Sequence, residues 1–214
     1  MNRKQKEQAI LKLNTRLAAD SNLPLKAAAT NDVPGEGNPA TQILFVGEAP
    51  GAKEDVTGRP FVGAAGKLLD DLIASIGLKR EDVFIANLIK HRPPSNRDPL
   101  PEEIAAYTPY LDEQISIIQP KVIVTLGRFS MRYFLGETLT ISKIHGQPKR
   151  NLNGQIIIPM YHPAAALYSG NLRPVLFADF AKIPRVIKLI TTGKSDNREE
   201  AQLLTPTATE KTLP

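Results

Sequence analysis

The sequence predicts an α/β protein, a three-layer α/β/α sandwich around a central four-stranded parallel sheet. Two observations predict it. Four short apolar, β-branched runs at 43–46, 83–89, 122–126 and 156–161 alternate with segments of helical periodicity. Strands separated by helices pair in parallel and carry helices on both faces. The chain of 214 residues also suits one domain with a sizeable core plus tails.

The elements follow in order. Residues 3–19 place Ile10, Leu11, Leu13 and Leu17 among Lys, Arg, Gln and Glu, an amphipathic helix. Residues 30–42 hold Pro34, Gly35, Gly37 and Pro39 and read as a loop. Past the first strand, Leu68, Leu69, Leu72, Ile73 and Ile76 recur at helical spacing, and Gly77 supplies the stop. Residues 90–101 contain four prolines and two arginines and exclude regular structure. A helix opens on Pro101 and runs to about residue 119. A short helix over 127–135 follows the third strand. Asn153-Gly154 marks a hairpin turn before the fourth strand, which ends at His162. A last helix spans about 173–190. The division expected is an N-terminal helix and linker at 1–22, one domain at 23–191, and a disordered tail at 192–214, which is rich in Thr, Glu and Lys.

Composition narrows the function. A formal charge of +5 and a pI near 9.4 suit a polyanionic partner without establishing one. The absence of cysteine excludes disulfides and thiolate metal sites. No apolar run approaches the ~20 residues that cross a bilayer, and the basic N-terminus lacks the apolar core of a signal peptide. The expectation is a cytoplasmic protein without membrane contact.

Candidate chemistry gathers where strands end. Glu48 follows the first strand, in Gly47-Glu48-Ala49-Pro50-Gly51. It either caps the next turn or serves as a carboxylate that activates water and stabilises a developing cation. Gly51 lets a ligand approach the backbone. Asn87 interrupts the apolar second strand. Its amide either bonds a neighbouring loop or matches the edge of a pyrimidine. His162 is either a satisfied structural histidine or a donor to an anionic leaving group. Phe61, in Gly58-Arg59-Pro60-Phe61-Val62-Gly63, either anchors its loop or stacks on a base. Arg59, Lys90, Arg92 and Arg97 make the surrounding loops basic, which is either a solvated loop with scattered charge or a set of phosphate contacts.

These same segments, with Glu54-Asp55, Arg92-Pro93-Pro94-Ser95-Asn96-Arg97-Asp98-Pro99 and His162-Pro163-Ala164-Ala165-Ala166-Leu167, resemble the family 4 uracil-DNA glycosylases. The resemblance runs from about Pro24 to Ile187. It implies that 23–191 is a glycosylase domain that flips uracil out of single- or double-stranded DNA and hydrolyses its N-glycosidic bond. Glu48 and His162 would be catalytic. Phe61 would stack on uracil and Asn87 would read its edge, with Gly47, Ala49, Gly51 and Glu54 shaping the pocket. Arg92, Arg97, His145, Pro163, Ala164, Leu167 and Tyr168 would contact DNA, Leu167 or Tyr168 as a wedge. Tyr168 stands where the family favours Arg. A monomer associated with the nucleoid is expected.

The chain departs from the family at one feature. Family 4 members hold a four-iron, four-sulfur cluster on four cysteines, whose positions fall here on Asp20, Leu23, His91 and Tyr107. Without thiolates no such cluster forms. We therefore expect no metal and no other cofactor. Packing by Leu23 and Tyr107, with hydrogen bonds from His91 or Asp20, would take the cluster's place. A superfamily branch attaches covalently to uracil-DNA through a histidine in an Arg-rich insertion. The compact segment at 91–97 lacks that insertion. The alternatives are a non-catalytic or covalent uracil-DNA binder and a glycosylase for another deaminated base such as hypoxanthine.

Overall fold

The computed structural model describes residues 1–192; the expected tail, but for residue 192, lies outside them. The order is α1 (Arg3–Ala19), β1 (Glu36–Gly37), β2 (Ile43–Gly47), α2 (Ala52–Thr57), α3 (Ala64–Ser75), β3 (Phe84–Asn87), α4 (Pro101–Ile118), β4 (Val122–Leu126), α5 (Arg128–Leu135), α6 (Ile141–Ile144), β5 (Lys149–Arg150), β6 (Ile156–Met160), α7 (Pro163–Tyr168), α8 (Leu172–Phe180) and α9 (Ile183–Thr192). Single 3-10 turns lie at Lys26–Ala28, Arg80–Asp82 and Pro94–Asn96.

The sheet order is β1-β3-β2-β4-β6-β5. β3, β2, β4 and β6 form the expected parallel core, in the registers Leu44↔Phe84, Ile43↔Val122 and Val122↔Ile156. β1 and β5 extend it with an antiparallel two-residue strand at each edge, making six strands where four were expected. Two residues leave no periodicity to read. β1 lies in the expected 30–42 loop, and β5 is the first arm of the expected hairpin.

Alternation along the parallel strands divides the core into two layers. Leu44, Val46, Phe84, Ala86, Ile123 and Ile157 face α1, α4 and α5. Ile43, Phe45, Val83, Ile85, Val122, Val124, Ile156 and Ile158 face α3, α8 and α9. Burial on both faces is what makes these strands near-continuous apolar runs. α1 begins with a capping box between Asn2 and Gln5, and its Ile10, Leu13 and Leu17 join the core alongside α4. The expected last helix is two helices, α8 and α9. Pro184 in the first turn of α9 has no N–H to donate and would clash with the preceding turn. No helix among the described residues is long and apolar enough to cross a membrane.

Candidate active site

From β2 the chain moves outward to β3, then returns past β2 to β4. Ligands of open α/β sheets bind beyond the strand carboxyl ends at such a reversal. A cleft of about 510 Å³ opens there, walled by Glu48, Glu54, Phe61, Asn87, Asp98 and His162 among others.

Glu48 is the first residue after β2, and its backbone carbonyl accepts from Ile89 N–H at 3.2 Å. Burial pushes its carboxyl up to about 7, the negative Asp98 adds to the shift, and Arg128 opposes it. Asp98 and Arg128 form an ion pair. Neither was among the expected site residues. Arg128 follows β4 by two residues, so the strand-end rule that singles out Glu48 and His162 applies to it equally.

Asn87 ends β3 and is only 2% exposed, and its Oδ1 has no hydrogen-bond partner. Gly47 lies opposite it in the register. A Cβ on Gly47 would stand 2.4 Å from Asn87 Oδ1 and 2.6 Å from the Phe61 ring, so only glycine leaves room for both. Beneath Asn87 lies the fully buried Lys90. Its Nζ donates to Asn87 O at 2.8 Å and to Gln114 Oε1 at 2.7 Å. Gln114 Nε2 in turn donates to Pro34 O at 2.6 Å. Burial pulls the Lys90 ammonium down to about 7. The sequence suggested a solvated basic loop for Lys90; its neighbours Leu88 and Ile89 were the available sign of burial.

Phe61 has φ +52°, a conformation unfavourable for a bulky L-residue. Its ring packs against the His162 imidazole with centroids 5.6 Å apart. Glu54 Oε1 accepts from Val62 N–H and Gly63 N–H, both at 2.8 Å. Glu54 thus lines the cleft and also fixes the loop that carries Phe61.

His162 precedes α7. Its Nδ1 accepts from Ala164 N–H at 3.1 Å. Burial lowers the imidazole to about 4, against an opposing pull from Glu54. A neutral ring whose Nδ1 accepts carries its proton on Nε2. His162 is therefore an uncharged N–H donor at the cleft.

Ala49, Gly51, Arg97, Ala164 and Tyr168 also line the cleft. Pro163 is buried in the first turn of α7. At the end of α7, Leu167 is half-exposed and Tyr168 is 92% exposed. Arg97 forms a two-point ion pair with Glu103 (2.8 and 2.5 Å), and Arg92 Nε donates to Asn96 Oδ1 at 2.7 Å. His145 is not among the cleft residues; it bonds Asp179 at 2.6 Å and packs on Tyr161.

The four positions that correspond to cluster cysteines do not fit a metal group. Leu23 offers no donor atom and is buried in the core. Asp20 accepts from Tyr110 O–H at 2.7 Å. His91 uses both nitrogens, Nε2 to Asp32 at 2.5 Å and Nδ1 to Tyr107 Oη at 2.7 Å. Burial lowers the His91 pKa, outweighing the opposing effect of Asp32. A neutral ring facing a carboxylate donates from Nε2 and accepts the Tyr107 O–H at Nδ1. Among the described residues no group of three or more His, Cys, Asp or Glu could hold a metal ion. His91 is also buried, with both ring nitrogens engaged.

A buried amide, an aromatic ring, a carboxylate and a neutral imidazole thus gather at the ends of parallel strands in one α/β cleft. The uracil DNA glycosylase superfamily model matches residues 34–183. The Type-4 uracil-DNA glycosylase of Sulfurisphaera tokodaii is 57% identical over 162 residues, covering 72% of this chain and 74% of that protein. Those of Archaeoglobus fulgidus and Thermotoga maritima are 50% and 48% identical, covering 74% and 77% of this chain and 83% and 88% of theirs. The chain belongs to the uracil-DNA glycosylase superfamily.

Proposed function

We propose that the protein is a DNA repair glycosylase that extrudes uracil from DNA and hydrolyses its N-glycosidic bond, leaving an abasic site. The observation that carries this reading is the unpartnered, buried Oδ1 of Asn87. A buried acceptor needs a donor, and uracil N3–H is one. The amide N–H₂ then donates to O4. Cytosine presents the reverse pattern and leaves these groups unpaired, which a buried site rejects strongly. Phe61 stacks on the extruded base. The Glu48 carboxylate orients water and stabilises positive charge on the sugar as the bond breaks. His162 Nε2–H stabilises negative charge on O2 of departing uracil, needing no proton beyond its own.

Tyr168, which lines the cleft, and its exposed neighbour Leu167 suit a wedge that fills the gap left by the flipped nucleotide. Arg92, Arg97 and the 145–149 loop add phosphate contacts. The reading extends to a monomer that acts on DNA at the nucleoid in the cytoplasm.

The test is purified protein with chelator and a labelled oligonucleotide containing one uracil, run on a denaturing gel with and without alkali. Alkali-dependent cleavage is expected. Intact DNA under conditions of demonstrable binding would refute the catalytic reading. A shifted band that survives denaturation would replace it with covalent capture.

A further inference from the structure

We propose that Arg80, outside the cleft and in none of the site motifs, is a positioning residue that sets the stacking platform by clamping the backbone of Phe61. The proposal rests on the reading of Phe61 as the surface on which uracil stacks.

The geometry is a clamp closed from two sides. Arg80 sits on the 3-10 turn Arg80–Asp82, between α3 and β3. Its Nη1 donates to Phe61 O at 3.0 Å, and its Nη2 donates to Pro60 O. Two consecutive carbonyls are thus gripped by one planar guanidinium. On the other side, Glu54 grips the next two amides, Val62 and Gly63. Phe61 between them is held at φ +52°. A residue persists in such a conformation only when its surroundings over-determine it. Gly66 completes the fit, since a Cβ there would lie 1.9 Å from Phe61 O.

Arg80 is itself fixed. Its Nε donates to Glu36 Oε1 at 2.7 Å and its Nη1 to Asp70 Oδ1 at 2.9 Å. Arg59 holds the same Glu36 carboxylate at 2.7 and 3.1 Å. Glu36 lies on β1, the antiparallel strand hydrogen-bonded to β3, and β3 ends at Asn87. The network therefore ties the platform to the strand that carries the base-reading amide. Lysine keeps the charge of arginine but cannot present the planar fork.

The test is a double-mutant cycle. Arg80→Lys and Arg80→Met are made in the wild-type and Phe61→Ala backgrounds, with Glu36→Gln as a milder second probe of the same clamp. Single-turnover excision, inhibition by free uracil, affinity for abasic-site DNA and Tm are measured. In the wild-type background we expect excision and uracil affinity to fall by about tenfold to 100-fold, the scale of a small misplacement, with abasic-site affinity unchanged. In the Phe61→Ala background the same substitutions should cost nothing further. Equal losses in both backgrounds, or a fall in Tm with uracil affinity intact, would overturn the proposal. Should Arg80→Met fold poorly, Arg80→Lys and Glu36→Gln decide. Wild-type protein that releases no uracil would refute the functional reading, and the clamp's role with it. Wild-type excision with unchanged uracil affinity in the variants would refute the clamp alone.

Discussion

Glu48 should make the reaction switch on with rising pH. Its carboxyl is held near 7 by burial and by Asp98, and only the ionised form can stabilise a cationic sugar. About half is ionised at pH 7, about a tenth at pH 6 and about a hundredth at pH 5. Excision should therefore fall tenfold per pH unit below 7 and level off above about 8. His162, lowered to about 4, stays neutral across that range, so the limb belongs to Glu48. The assay is single-turnover release of uracil from an oligonucleotide between about pH 5 and pH 9. Glu48→Gln should remove the pH dependence together with roughly 10²–10⁴ of the rate. It should also stabilise the fold. A carboxyl whose pKa rises on folding contributes stability that is complete below its unfolded value of 4.5 and lost as pH rises through about 7. Above that, the cost of the buried charge has an upper limit on the order of 3 kcal/mol, which Gln avoids. Thermal melts at alkaline pH read that difference. A rate flat through pH 7, or wild-type turnover in Glu48→Gln, would refute the reasoning.

Asp98→Asn should move the acidic limb of the same profile to lower pH and Arg128→Met to higher pH, since their charges act on Glu48 with opposite sign. Gly47→Ala places a Cβ 2.4 Å from Asn87 Oδ1 and should cost about 100-fold in excision, with DNA affinity by fluorescence anisotropy preserved. Lys90 falls from 10.5 to about 7 on folding, so its stability contribution is present above its unfolded pKa and lost as pH falls through about 7. The Tm of Lys90→Met relative to wild type should therefore climb as pH drops from about 10 to about 7 and then level off; a constant difference would argue against a buried, titrating ammonium.

Burial leaves a periodic trace, and this is why so much of the fold was legible. The four parallel strands and the helices between them announce themselves through apolar runs and helical spacing. Glu48, Asn87 and His162 stood out because a polar residue at the end of a buried run is conspicuous. Arg80, Glu36 and Asp98 did not, because ion pairs between loops distant in sequence, such as Glu36 with Arg80, have no characteristic spacing. The partner of His91 was hidden for the same reason. Asp32 lies 59 positions away, and only the fold brings the two together. The break before α9 was readable from Pro184, but the apolar pattern runs through it and outweighed it. Glu54, expected in the pocket, is at the cleft, while its bonds to Val62 and Gly63 depend on a turn that the sequence does not specify.

The Asp32–His91–Tyr107 contact has a consequence for how the protein comes into being. Residues 20–34 and the segment after β3 are joined here by ordinary side chains, which are in place once the polypeptide has folded. No cysteine stands at any of these positions, so the joint offers no thiolate for an oxidant to attack. A joint made of side chains alone forms as the two segments fold together, with Asp32, His91 and Tyr107 supplying both of its hydrogen bonds.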